Sequence, residues 1–209
     1  MSTDNFIFNT TSGIRFGSGM SKLCAEEVSK KLGTNILFIT DKDLMSLKLT
    51  EPTLNELKKF SSSVEIFQDV EADPSIKTLL NAIEMGKKIN ATGVIGFGGG
   101  SSMDVAKLTS LILGSNENIE DIWGVSNAKG PRLPLVLVPT TAGTGSEVTP
   151  ISIITVGEEE KKGVSSEIIL PDIAVLDPDL TIGLPAHTTA ATGIDAMVHA
   201  IEAYTSASK

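Results

Sequence analysis

Of 209 residues, 41% are hydrophobic and 21% charged, proportions of an ordinary folded chain that exclude disordered and collagen-like classes. The length suits one large domain, or one domain with part of a second. A formal charge of −9 excludes nucleic acid and anionic membrane surfaces as main partners, so any anionic ligand must be held by local donors.

The polar start MSTDNF is not a signal peptide, and no apolar run reaches the roughly 20 residues of a membrane span. A cytoplasmic protein is expected. In residues 6–19, FIFNTTSGIRFGSG, apolar and polar residues alternate about Ser12-Gly13, which predicts an antiparallel hairpin. Residues 21–32 carry a helical pattern with a glycine stop at Gly33. Within it lies Cys24, the only cysteine, which excludes an intrachain disulfide and is expected as a small packed residue. Residues 35–40, NILFIT, read as a buried strand followed at once by Asp41. An acid there can accept both ribose hydroxyls of an adenosine, or cap the next helix. Residues 54–60 predict a helix end and residues 64–67 a short strand, and Asp73-Pro74 opens a helix over 75–89 with proline in its first turn. Strand and helix alternate at βαβ spacing, the pattern of an α/β fold with a parallel sheet and helices on its faces.

The richest stretch is residues 92–113, TGVIGFGGGSSMDVAKLTSLIL. A buried strand over 92–97 meets Gly98-Gly99-Gly100, Ser101 and Ser102 can cap a helix, and apolar residues from Met103 onward allow that helix to pack on the sheet. Strand, glycine turn and helix N-terminus together make an anion site. The backbone can approach a phosphate there, and free N–H groups with the helix dipole face its charge. An ordinary tight βα turn has the same composition, and GGGSSMD fits neither the Rossmann G-x-G-x-x-G nor a Walker loop.

Residues 135–138 predict another strand, ended by Pro139, before the hydroxyl- and glycine-rich loop holding Thr140, Thr141, Thr144, Ser146 and Thr149. Its neutral donors suit a pyrophosphate and a nicotinamide ribose, although a merely flexible polar loop would have the same composition. Strands are expected over 151–156, 168–170 and 173–176, with the charged run 158–162 as a solvated hairpin tip. From about Thr189 a helix is predicted, with Ile194, Met197, Val198 and Ile201 as an apolar stripe. Asp195 and His199 lie one turn apart on its flank, as a helix ion pair or as two ligands of one metal.

Taken together, GGGSSMD, PTTAGTGSEVT and GIDAMVHAIEAYTS resemble the iron-containing alcohol dehydrogenase family of the dehydroquinate synthase-like superfamily. LPDIAVLDP and FGSG fit too, so the likeness runs from about Phe6 to the last residue. The resemblance implies an α/β dinucleotide-binding domain over residues 1–184 and, from 185 to 209, the truncated start of an all-helical metal-binding domain. It implies that Gly98, Gly99, Gly100 and Ser101 form the pyrophosphate loop, and that Thr140, Thr141, Thr144 and Thr149 form the second cofactor loop. Asp41 falls where the family favours NAD over NADP, since a carboxylate repels a 2′-phosphate. Asp73 falls at a polar cofactor contact and Lys161 at a cofactor-side lysine. Asp195 and His199 match the first two ligands of a divalent metal, Fe(II) or Zn(II).

The family takes two further histidine ligands from later helices, whereas the only other histidine here is His187. Half a metal site is therefore expected. The implied function is NAD-dependent oxidation of a primary alcohol to an aldehyde by a homo-oligomer, with the small alcohol or aldehyde as substrate. Two alternatives stay open: an NAD-binding fragment that catalyses nothing, and a polyol- or glycerol-type dehydrogenase of the same superfamily.

Overall fold

The structure, a computed structural model, describes residues 8–206 except residue 159. The chain begins with β1 (Gly13–Phe16), α1 (Met20–Leu23), α2 (Ala25–Leu32), β2 (Asn35–Ile39), α3 (Lys42–Ser46), α4 (Glu51–Phe60) and β3 (Ser63–Phe67). It continues through α5 (Ile76–Lys88), β4 (Gly93–Gly98), α6 (Gly100–Ser115), α7 (Ile119–Ile122), β5 (Gly124–Val125) and β6 (Leu135–Pro139). A hairpin, β7 (Ile151–Val156) and β8 (Glu160–Ser165), precedes β9 (Ile173–Leu176) and α8 (Ala186–Thr205).

Six strands form one sheet in the order β1-β9-β6-β4-β2-β3, parallel at every pairing. Every residue of β4 and β6 is buried, as a parallel sheet covered on both faces requires. Alternate side chains feed two cores. Leu37, Ile39, Val94, Leu135 and Leu137 pack with Leu79 and Ile83 of α5 and with Met103 and Leu108 of α6. On the other face Ile36, Phe38, Ile95, Phe97 and Val138 meet Val28 and Leu32 of α2 and Leu57 of α4. Phe38 and Phe97 stack there with centroids 5.4 Å apart. A small second sheet, β5-β8-β7, packs its β7 strand over the outer side of α6.

Several elements differ from the sequence expectations. Gly13–Phe16 pairs in parallel with β9 rather than in a hairpin, and residues 6 and 7 of the expected other arm lie outside the described residues. The helix expected over 21–32 is broken at Cys24, which is at once C-cap of α1 and N-cap of α2. Ser75, not Pro74, begins α5: its hydroxyl accepts from Thr78 N–H, and the proline stands outside the first turn. Residues 168–170 are not a strand, because Glu167–Ile169 form a 3₁₀ turn capped by Ser166. Helix α6 starts at Gly100 with Gly99 as N-cap, so Ser101 and Ser102 sit in the first turn and do not cap it. The last helix begins at Ala186, three residues earlier than Thr189.

Helix α6 seats tightly because Gly96 has no side chain. A Cβ there would come within 2.7 Å of Ala106 Cβ and 2.8 Å of Leu137 Cδ2. Overpacking of this kind costs about 1–3 kcal/mol. Gly96→Val is therefore expected to destabilise the fold by that amount, read as a lower denaturant midpoint with little change in slope. A midpoint equal to wild type would show that α6 can shift without penalty.

Candidate functional site

The strand order reverses between β2 and β4: the chain leaves β2 towards β3 on one side and returns to β4 on the other. Open parallel sheets bind ligands at such a switch point, beyond the carboxyl ends of the strands. Asp41 follows β2 directly, and Gly98–Gly100 carry β4 into α6. The residues singled out in the sequence thus converge on the one edge where the topology opens a crevice.

Two clefts flank the glycine loop and share Ser101. The first, about 410 Å³, is bounded by Asp41, Gly99, Ser102, Thr140, Thr141 and Pro185. Asp41 Oδ1 accepts the Leu44 N–H at 2.9 Å and so caps α3, while the same residue faces the cleft. Burial pushes its carboxyl above the usual range, partly offset by that N–H. Gly98 has φ +152°, and a Cβ on it would lie 2.6 Å from Ser102 Oγ. A Cβ on Gly99 would meet only Thr141, at 3.7 Å, leaving the cleft open to backbone approach. The first turn of α6 has no side-chain cap, and its N–H groups need an acceptor from outside the helix. Buried Thr140 donates its N–H to Gly98 O at 3.0 Å, tying the two loops together. Thr141 Oγ1 is buried beside the cleft without a hydrogen-bond partner. A glycine cradle, open N–H groups and an orphan hydroxyl fit a phosphate-bearing ligand.

The second cleft, about 790 Å³, collects Gly100, Thr144, Thr149, Asp73, Lys161, Asp195 and His199. Asp73 and Lys161 pair with each other at 2.5 Å across its rim. Asp195 Oδ1 and His199 Nε2 lie 3.7 Å apart on α8, both about half exposed. A carboxylate and an imidazole suit Fe(II) or Zn(II), but two donors fill only half of a four-ligand shell. Among the described residues no group of three or more His, Cys, Asp and Glu is placed to hold a metal. His187 stands in the first turn of α8, eight residues or about 12 Å along the axis before Asp195, and joins neither donor. The hydroxyl loop touches α8 directly: a Cβ on Gly143 would lie 2.6 Å from Thr192 O.

One titratable residue of the second cleft had no role assigned from sequence. Asp104, the acid of GGGSSMD, lies one turn after Ser101 and lines the same wall. Its Oδ2 accepts the Ile153 N–H at 2.9 Å, while Oδ1 is buried without a hydrogen-bond partner. Burial raises its pKa to about 6, against the pull of the Lys107 ammonium and the Ile153 N–H. The i, i+3 spacing from Ser101 was the available signal, since it puts both residues on one helical face.

The sequence profile of the iron-containing alcohol dehydrogenase family matches residues 11–178. The chain belongs to that family. It is 37% identical over 210 residues to long-chain-alcohol dehydrogenase 1 of Geobacillus thermodenitrificans, covering 99% of this chain and 52% of that one. An alcohol dehydrogenase structure from Oenococcus oeni superposes with a TM-score of 0.91 at 35% identity, over 97% of this chain and 54% of the other. A sulfoacetaldehyde reductase structure from Bifidobacterium kashiwanohense, in complex with NAD+, gives 0.87 at 29% identity, over 96% and 54%. The chain spans about half the length of the curated relatives it matches. Among the described residues no helix is long and apolar enough to cross a membrane.

The raised pKa of Asp104 has a consequence for stability. Between its ordinary value of 3.8 and about 6, the folded chain keeps a proton that the unfolded chain has released. Its contribution to stability is thus complete below that window and is lost as pH rises through it. Asp104→Asn is expected to flatten the melting temperature across this range, so that the wild type gains on the variant as pH falls. Parallel profiles would contradict the burial of this carboxyl.

Proposed function

We propose that this chain forms the dinucleotide-binding part of an NAD-dependent alcohol dehydrogenase, which oxidises a small primary alcohol to its aldehyde. One observation carries the reading: the glycine loop stands between a cleft headed by Asp41 and a cleft holding Asp195 and His199. In this reading the adenosine ribose lies on Asp41, whose charge disfavours a 2′-phosphate. Gly98, Gly99, Gly100 and Ser101 present backbone N–H groups to the pyrophosphate, and the orphan Thr141 hydroxyl supplies a neutral contact beside them. Thr140, Thr144 and Thr149 line the path towards the second cleft, where the nicotinamide faces α8. The Asp73–Lys161 pair closes the rim on that side.

Asp195 and His199, with further donors, would hold a divalent metal, which would supply Lewis acidity to the alcohol oxygen. The chain's own task is to orient the nicotinamide above the carbon that gives up hydride. We assign residues 1–184 to the dinucleotide-binding domain and 185–209 to the start of a helical one. Ile194, Met197 and Ile201 of α8 are more than half exposed, which gives a physical reason for further helices or a second subunit to cover them. We extend the reading to a cytoplasmic homo-oligomer.

For the 209 residues alone, the two-donor metal site favours binding without turnover. Calorimetric titration with NADH, alongside NAD reduction assayed with primary alcohols and added Fe(II) or Zn(II), tests both halves of the reading. Tight binding with slow or no turnover is expected, and failure to bind NADH would refute it. Gly99→Val should reduce NADH binding more than 100-fold, by order of magnitude, while leaving far-UV helix content intact, because the side chain fills the open cradle. Asp41→Ser keeps a capping oxygen but removes the charge, and is expected to raise NADPH affinity relative to NADH roughly tenfold. An unchanged ratio would reduce Asp41 to a cap.

A further inference from the structure

Lys107 lies in the middle of α6 and its side chain is wholly buried. Lysine is almost never so placed unless its ammonium is paired. Here Nζ donates to Thr149 O at 2.9 Å and to Ile151 O at 2.7 Å, with Asp104 Oδ1 at 3.9 Å. Asp104 holds the adjoining residues: its carbonyl accepts from Ser152 Oγ at 3.0 Å and its carboxylate from Ile153 N–H. One turn of α6 therefore fixes residues 149, 151, 152 and 153. Three of these, Thr149, Ile151 and Ile153, form a wall of the larger cleft.

The same helix begins, two turns earlier, as the glycine loop. We propose that Lys107, working with Asp104, is a positioning residue that holds the nicotinamide-side wall in register with the glycine loop. The inference rests on the dinucleotide reading above and adds the means by which two loops, some 50 residues apart in sequence, keep a fixed spacing. Hydrophobic packing fixes α6 on the sheet but cannot align backbone carbonyls. A buried cation can, because the loss of either acceptor would leave its charge uncompensated. Burial pulls the lysine's pKa down to about 8, with Asp104 and Glu147 opposing. The adenosine cleft is lined by Asp41 and α3, the segment after β3, the glycine loop with the first turn of α6, the loop after β6 and residues 180–185, and takes nothing from this wall.

The test is titration of the whole chain with two probes, NADH and ADP. ADP occupies the Asp41 side and the glycine loop, whereas NADH must also reach the wall. Lys107→Met is expected to weaken NADH about tenfold, the equivalent of ~1.4 kcal/mol, and to leave ADP within about twofold. Ser152→Ala removes one hold without unbalancing a charge, and is expected to show the same split at about threefold; it carries the test if Lys107→Met does not fold. A parallel loss of both probes, or unchanged NADH affinity in a folded variant, would overturn the positioning role. Wild-type protein that binds neither probe would remove the dinucleotide reading itself, and this inference with it.

Discussion

The structure depends on keeping the N-terminus of one buried helix at the open edge of a parallel sheet. Helix α6 is covered almost all round, by the sheet on one side and by α5 and the β7–β8 hairpin on the others. Each large apolar side chain it buries contributes about 1.5–3 kcal/mol, which secures its place but not its exact height above the strands. That height follows from glycine: with Gly96 beneath Ala106 and Gly98 beneath Ser102, β4 and the first turns of α6 approach more closely than side chains would allow. The open end of the helix is then presented at the switch point between β2 and β4, beside the loop that follows β6.

This placement explains how a chain of net charge −9 accommodates the anion site proposed for it. Charges more than about 8–10 Å away are largely screened at physiological ionic strength, so the overall field matters less than donors in contact. The two loops supply such donors in different ways. The glycine loop offers N–H groups and the partial positive end of a helix; the loop after β6 offers hydroxyls, one of them buried and unpaired in Thr141. Neither brings a lysine or arginine to the 410 Å³ cleft; among the described residues its lining cation is Lys42 of α3, whose ammonium is engaged with Asp69 at 2.7 Å. Dipoles thus replace formal charge in the proposed phosphate site.

Much of this was legible because local signals and tertiary structure agree. The buried strand 35–40 with an acid after it, the glycine turn after 92–97 and the strand before the hydroxyl loop each place a ligand-facing residue by sequence adjacency alone. The failures share another cause. Gly13–Phe16 alternates like a hairpin arm, yet its partner is Ile173–Leu176, about 160 residues on, and periodicity carries no information on pairing at that range. Residues 168–170 have strand composition, but Ser166 accepts from Ile168 N–H and turns the backbone first. Lys107 was invisible because a lysine in a helical pattern reads as solvent-facing, and only the carbonyls of Thr149 and Ile151 give it a reason to be inside.

The relation between the two clefts depends on one close contact. Helix α8 buries none of its residues, and its apolar stripe stays exposed, so hydrophobic packing against the α/β body does not set its position. What does touch it is the hydroxyl loop, where Gly143 leaves no room for a Cβ against the Thr192 carbonyl. Thr192 stands three residues before Asp195 and seven before His199, that is, one and two turns along the same helix. The loop proposed to offer hydroxyls to a dinucleotide is thereby the surface against which the Asp195–His199 pair is spaced. In turn β7, which that loop enters, is held by Asp104 and Lys107 of α6. A single chain of contacts runs from the glycine loop through α6 and the hydroxyl loop to α8. The separation between the proposed phosphate site and the two donors is thus set through the hydroxyl loop, where Gly143 meets Thr192.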